Sequence, residues 1–194
     1  MTALATLMSM TKRTPWETEG HEPPVIASSI VAVFEQLADL LLHTSDAEYV
    51  QAPVGVVTSS LGGHYRHNLD HLESLLASIE TGVLNYDHRE RGTSVETSRL
   101  VALQSIRRLQ REVLNLTEDD LSQPLRLAAM IDAHAPPMHL ETTVARELAF
   151  VLSHTIHHNA IIGVMAMTLG ICLPARFGYA PATIAHQEKR SCVR

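Results

Sequence analysis

The sequence predicts an all-α fold, a four-helix bundle with a short β-hairpin before the last long helix. Three observations predict it. Apolar residues recur at helical spacing in four long stretches. Aromatic residues make up only 4% of the chain, so the core must be built from Leu, Ile, Val, Ala and Met, side chains that suit packed helices. A length of 194 residues is enough for one domain with a sizeable core and too short for two comfortable ones.

The bundle is assigned to residues 25–185. Residues 1–24 carry Pro15, Gly20, Pro23 and Pro24 without periodicity and are expected to form a poorly ordered arm, and residues 186–194 a loose tail. The first helix starts near Ala27, with Ser28 or Ser29 as cap, and carries Ile30, Val31, Phe34, Leu37, Leu40 and Leu41 until Ser45. Gln51-Ala-Pro-Val-Gly breaks the pattern; Thr58-Ser-Ser opens a second helix that Gly82 stops after Thr81.

Residues 84–93 are polar and turn-like, and Ser94 with Glu96 marks the start of the third helix, which carries Leu100, Leu103, Ile106, Leu109 and Val113. Two short strands, in 124–132 and 138–142, flank Ala133-His-Ala-Pro-Pro as a hairpin. Thr143, followed by Arg146 and Glu147, opens the longest apolar helix, which runs through Leu169 to Gly170. That helix is apolar almost all round, so it either lies centrally or gives a face to a second subunit; a homodimer is expected. The connection lengths leave the up-down order of the helices open.

A formal charge of −6 argues against a nucleic-acid partner, although Arg107, Arg108 and Arg111 are locally basic. Cys172 and Cys192 lack metal-ligand spacing, which fits free thiols in a reducing cytoplasm. The first residues form neither a cleavable leader nor a span, so no membrane partner is expected. A glycine-rich phosphate loop, a Cys-x-x-Cys pair and a Gly-x-Ser-x-Gly elbow are all lacking in the sequence.

Six of the twelve histidines fall in two short helical windows: His64, His67 and His71 in one, His154, His157 and His158 in the other. His154 and His158 are one turn apart and share a face with Val151, Ile162 and Met165, whereas His157 points away. A lone histidine on an apolar face is ordinarily a core residue bonded to a carbonyl. Two at one-turn spacing, opposed by a second cluster, favour a cation that satisfies both rings. The motif lacks the glutamate that follows the first histidine of a zincin, which disfavours proteolysis. The third ligand is open among His64, His67 and His71; the stripe of Leu61, Leu72, Leu75 and Ile79 passes closer to His64 and His71 and so disfavours His67.

Ser59-Ser-Leu-Gly-Gly-His-Tyr-Arg-His-Asn-Leu-Asp-His, Tyr86-Asp-His-Arg-Glu-Arg and Arg146-Glu-Leu-Ala-Phe-Val-Leu-Ser-His-Thr-Ile-His-His-Asn-Ala resemble the DinB/YfiT-like superfamily of metal-dependent bundle proteins, over about residues 27–183. The resemblance implies a divalent metal, zinc or nickel, held by a histidine of the second helix and a His-x-x-x-His pair of the last long one. Aligned on Ser60-Leu-Gly, it puts the ligands at His67, His154 and His158, with His64 as competitor for the first. It also implies a thiol transferase or isomerase using a low-molecular-weight thiol, although many relatives have no assigned reaction.

Three neutral imidazoles around zinc leave a position for water or a thiolate, so the chemistry suits a transferase or hydrolase acting on a small molecule. His71, Tyr86, Asp87, Arg89 and His157 are candidates to line the substrate pocket. Arg146 and Glu147 read as a helix-start ion pair instead. The alternative is a stress-related module without turnover, whose metal is a structural clasp with its fourth position closed by a side chain such as His64.

Overall fold

The computed structural model describes residues 22–55, 57–88 and 92–191. Four long helices dominate: α1 (Val25–Leu42), α3 (Leu61–Thr81), α5 (Arg99–Leu114) and α7 (Val144–Thr168). Between and after them lie the short α2 (Asp46–Val50), α4 (Ser94–Thr97) and α6 (Glu118–Ser122), and a final α8 (Pro181–Ser191). Ile30, Phe34 and Leu37 of α1, Leu69 and Leu72 of α3, Ile106 and Leu109 of α5, and Leu148, Val151 and Ile162 of α7 form one buried core. Both α1 and α3 pack on α5 and on α7, which makes α1 and α3 diagonal partners and settles an order that loop lengths leave open. The pairing that matters most for function is α3 beside α7.

The expected hairpin is present, as β2 (Pro124–Ala129) antiparallel to β3 (Met138–Thr143), with Leu127 opposite Leu140. A third strand absent from the sequence reading, β1 (Val83–Leu84), adds in parallel to β2 and ties the end of α3 to the hairpin. Gly82 stops α3 as expected, at φ 72°, where a residue with a Cβ is strained.

Several starts and stops differ from the sequence reading. α1 begins at Val25, earlier than Ala27, and neither Ser28 nor Ser29 caps it; Ser29 Oγ donates back to the Val25 carbonyl at 2.9 Å, because a serine inside the first turns finds that carbonyl nearer than any free N–H. Ser45 does not end a long helix but opens α2 through a capping box with Glu48. The third helix divides at Ser98, whose Oγ accepts from Val101 N at 3.4 Å and restarts the helix as α5. The tail expected to loosen from residue 186 continues as α8, pinned by an Arg176–Glu188 ion pair of 2.8 Å. Most of the expected N-terminal arm, residues 1–21, lies outside the described residues, as does Cys192.

By length and composition α1 and α7 are each apolar enough to cross a bilayer. In this fold α1 packs its apolar face on α5 and α7, and α7 packs on α1 and α3.

Arg107 of α5 clamps Glu35 of α1 with both guanidinium nitrogens, and Gln110 Nε2 donates to the same carboxylate at 3.1 Å. The Arg107 hydrogen bond holds the Glu35 carboxyl below its ordinary value. A carboxyl depressed in the folded state binds its proton more readily once unfolded. Its stabilisation is therefore complete above the usual carboxylate range and declines as pH falls through the lower folded value. Urea unfolding of wild type and Glu35→Gln should show stabilities that converge as pH drops through that range; a constant gap at all pH values refutes the assignment.

Candidate metal centre and adjoining cavity

The register of the histidines is set at the helix starts. Ser60 Oγ accepts from Gly63 N at 3.1 Å and Thr143 Oγ1 from Arg146 N at 3.3 Å, so α3 and α7 begin at defined residues. One-turn spacing then stacks His64, His67 and His71 along α3, opposite His154 and His158 on α7.

His67 lies at the centre of the cluster. Its Nε2 is 2.9 Å from His154 Nε2, and its ring centroid is 4.4 Å from that of His158 and 4.5 Å from that of His71. His64 and His158 face each other with their Nδ1 atoms 3.2 Å apart. His71 Nδ1 lies 2.8 Å from the His67 carbonyl oxygen. A carbonyl can only accept, so that nitrogen carries the proton and the lone pair of His71 is on Nε2. The ligand nitrogens of His67, His71 and His154 all lie within 4.8 Å of one another, a group that could hold a divalent metal ion.

Burial pushes the His158 imidazole down to about 3, with the neighbouring His154, His64, His157 and His71 adding to the effect, and burial lowers His64. These rings are neutral near pH 7, the form that ligates. Tetrahedral zinc with bonds of about 2.0–2.1 Å sets ligand nitrogens roughly 3.3 Å apart. The 2.9 Å pair of His67 with His154 and the 3.2 Å pair of His64 with His158 both lie just below that spacing, so small ring rotations suffice to seat such an ion.

A cavity of about 320 Å³ adjoins the cluster. His71, Phe150 and Tyr86 form its inner wall, and the hairpin closes the other side with Leu127, Ile131 and Leu140. The His71 ring stacks on Tyr86, with centroids 5.0 Å apart, and on His154 at 4.2 Å. Glu147, 1% exposed, sits at the base. Its Oε2 accepts from Tyr86 Oη at 3.0 Å, and its Oε1 from Thr142 Oγ1 at 2.8 Å and Arg146 Nη1 at 3.0 Å. Burial, reinforced by the Glu147 charge, pushes the Tyr86 phenol far above its usual value and keeps it protonated.

Of the candidates read from the sequence, His64, His67, His71, His154 and His158 converge, and Tyr86 and Asp87 line the cavity. The argument from helical phase against His67 fails. The buried side of α3 is wider than the leucine stripe, taking in Tyr65, Asn68 and Leu69, and α7 lies along its flank, where His67 points. His71, a pocket candidate, lines the cavity and is 5% exposed. Asp87 accepts from Met130 N at 2.8 Å and braces the hairpin end. His157 is exposed, does not line the cavity and meets His158 ring to ring at 5.4 Å. Arg89 lies outside the described residues. Sequence reasoning did not find Phe150, although it sits one turn before His154, nor the hairpin wall, for which no local signal exists; Glu147 it read only as a helix-start charge, a role its bond to Arg146 also fulfils.

A sequence relative is FK506-binding protein 5 of Rhizopus delemar, 36% identical over 109 residues, which are 56% of this chain and 28% of that protein. The chain thus spans well under a third of the length of the curated relative it matches. Among solved structures, a DinB-like protein of Bacillus subtilis aligns with a TM-score of 0.58 and 20% identity over 80% of this chain and 99% of that one. A DinB-like protein of Bacillus cereus ATCC 10987 aligns at 0.53 and 18%, over 77% and 94%. At such identities these two speak for the fold alone. The sequence profile of the DinB superfamily matches residues 29–162, from the first turns of α1 to past the histidine pair of α7, and this chain belongs to that superfamily.

Proposed function

We propose that this protein is a divalent-metal-dependent enzyme that acts on a small molecule, a transferase using a low-molecular-weight thiol or a hydrolase. The observation that carries the reading is the contact between a five-histidine cluster and a cavity of about 320 Å³, with His71 belonging to both. His67 and His154 hold the ion, zinc or nickel, with His158 as third ligand, the set the family resemblance implies. When bound, the ion supplies Lewis acidity and favours the thiolate or hydroxide form of a group it ligates near neutral pH. His71, with its tautomer fixed by the His67 carbonyl, faces the substrate. Protonated Tyr86 and the hairpin shield the reacting end from water. The exposed Val164 and Met167 on α7 support a homodimer, and the free thiol of Cys172 suits a reducing cytoplasm.

A second reading, a metal clasp without turnover, draws support from the 4.8 Å grouping of His67, His71 and His154. If His71 ligates, the histidine shared with the cavity is taken up by the ion, and a side chain such as His64 can close the fourth position. Metal analysis on single variants separates the two. Under the enzyme reading His158→Ala loses stoichiometric zinc or nickel with helix content intact, His71→Ala keeps it, and the wild type turns over in a screen of thiol-transfer and hydrolytic substrates. The opposite metal pattern, with no turnover, establishes the clasp.

A further inference from the structure

We infer that the cavity selects a substrate with a small apolar body, recognised by surface contact rather than by hydrogen bonds; this rests on the enzymatic reading of the histidine cluster. The inference comes from how the polar groups around the cavity are already committed. Tyr86 Oη donates to Glu147, whose two oxygens together accept from Tyr86, Thr142 and Arg146. Asp87 Oδ2 accepts from the Met130 backbone, and His71 Nδ1 donates to the His67 carbonyl. A sugar or nucleotide entering here would surrender hydration at many hydroxyls and meet groups that mostly have partners already, the outer N–H groups of the half-exposed Arg146 excepted.

The remaining wall is apolar. Leu127, Met130, Ile131 and Leu140 of the hairpin region face Phe150. Met130, Ile131 and Leu140 remain 56%, 68% and 42% exposed, so apolar surface that the fold leaves wet would be covered by a bound ligand. A volume of about 320 Å³ is at the small end for ligand cavities, which limits the occupant to one ring system or a short chain. The substrate class is therefore a small aryl or alkyl compound, its apolar body against the hairpin and its polar reacting end toward His71.

The test uses the full chain and the fluorophore 2-naphthol, a single ring system uncharged near pH 7, titrated into wild type, Ile131→Glu, Leu140→Glu and the control Leu100→Glu. Leu100 is 65% exposed and lines a separate groove beside α2 and α5. Saturable one-to-one binding is expected in wild type and control, weakened about tenfold or more in the two cavity variants by a carboxylate set against an apolar ligand. Absence of saturable binding, or equal loss in all three variants, overturns the inference. Zinc content measured on the same samples separates the two proposals: probe binding without metal defeats the enzymatic reading alone, and bound metal without probe binding defeats the apolar selection alone.

Discussion

Replacing His67 by Ala is expected to reduce affinity for zinc or nickel by more than about 100-fold, beyond the range seen when only a supporting partner is lost. His67 and His154 are the two histidines common to both ligand sets. The His67 Nε2 is 2.9 Å from His154 Nε2, and the His67 ring meets those of His71, His154 and His158. The effect is local, because the His67 ring is only partly buried and the leucine core of α3 lies on another side of the helix. Calorimetric titration with metal and elemental analysis read the first effect, and circular dichroism reads the second. A variant that retains one tightly bound ion per chain would dismiss His67 as a ligand, and with it both readings of the centre.

Gly62→Ala should destabilise the fold by about 2–3 kcal/mol, the range for overpacking a dense interior. A Cβ at Gly62 would lie 2.0 Å from the Glu96 carbonyl oxygen and 2.8 Å from Tyr49 Cε1. Helix propensity alone favours alanine by about 1 kcal/mol, so the sign depends on whether α4 can move away. It is held in place: Tyr49 Oη donates to the Val95 carbonyl at 2.8 Å, and Glu96 pairs with Arg66. The neighbouring Gly63 provides the contrast, since its added Cβ would meet Ser59 Oγ, the end of a side chain that can rotate. Urea unfolding should therefore show a large loss for Gly62→Ala and a small one for Gly63→Ala. Equal midpoints for the two variants would refute the close approach of α3 to α4.

Much of this architecture was legible in the residues themselves. Hydrophobic spacing located the four long helices, Ser60, Gly82 and Thr143 marked boundaries that the structure keeps, and the turn residues between 124 and 142 marked the hairpin. Periodicity did worse where short polar side chains offered the backbone another partner. Ser45 opens a short helix where the first apolar run ends, and Ser98 divides a stretch that reads in the sequence as one helix.

The candidate site divides along the same line. One-turn spacing of His154 and His158, and of His67 and His71, is a property of the helix and is written in the sequence by itself, as is membership of the bundle. Tertiary structure alone decided that α7 lies along the flank of α3 on which His67 points, that β1 draws the hairpin over His71 and Phe150, and that Glu147 binds Tyr86 from 61 residues away. The physical reason is range. Helical phase reports which side of a segment avoids water, whereas the identity of the neighbour that covers it depends on how all the apolar faces are buried together.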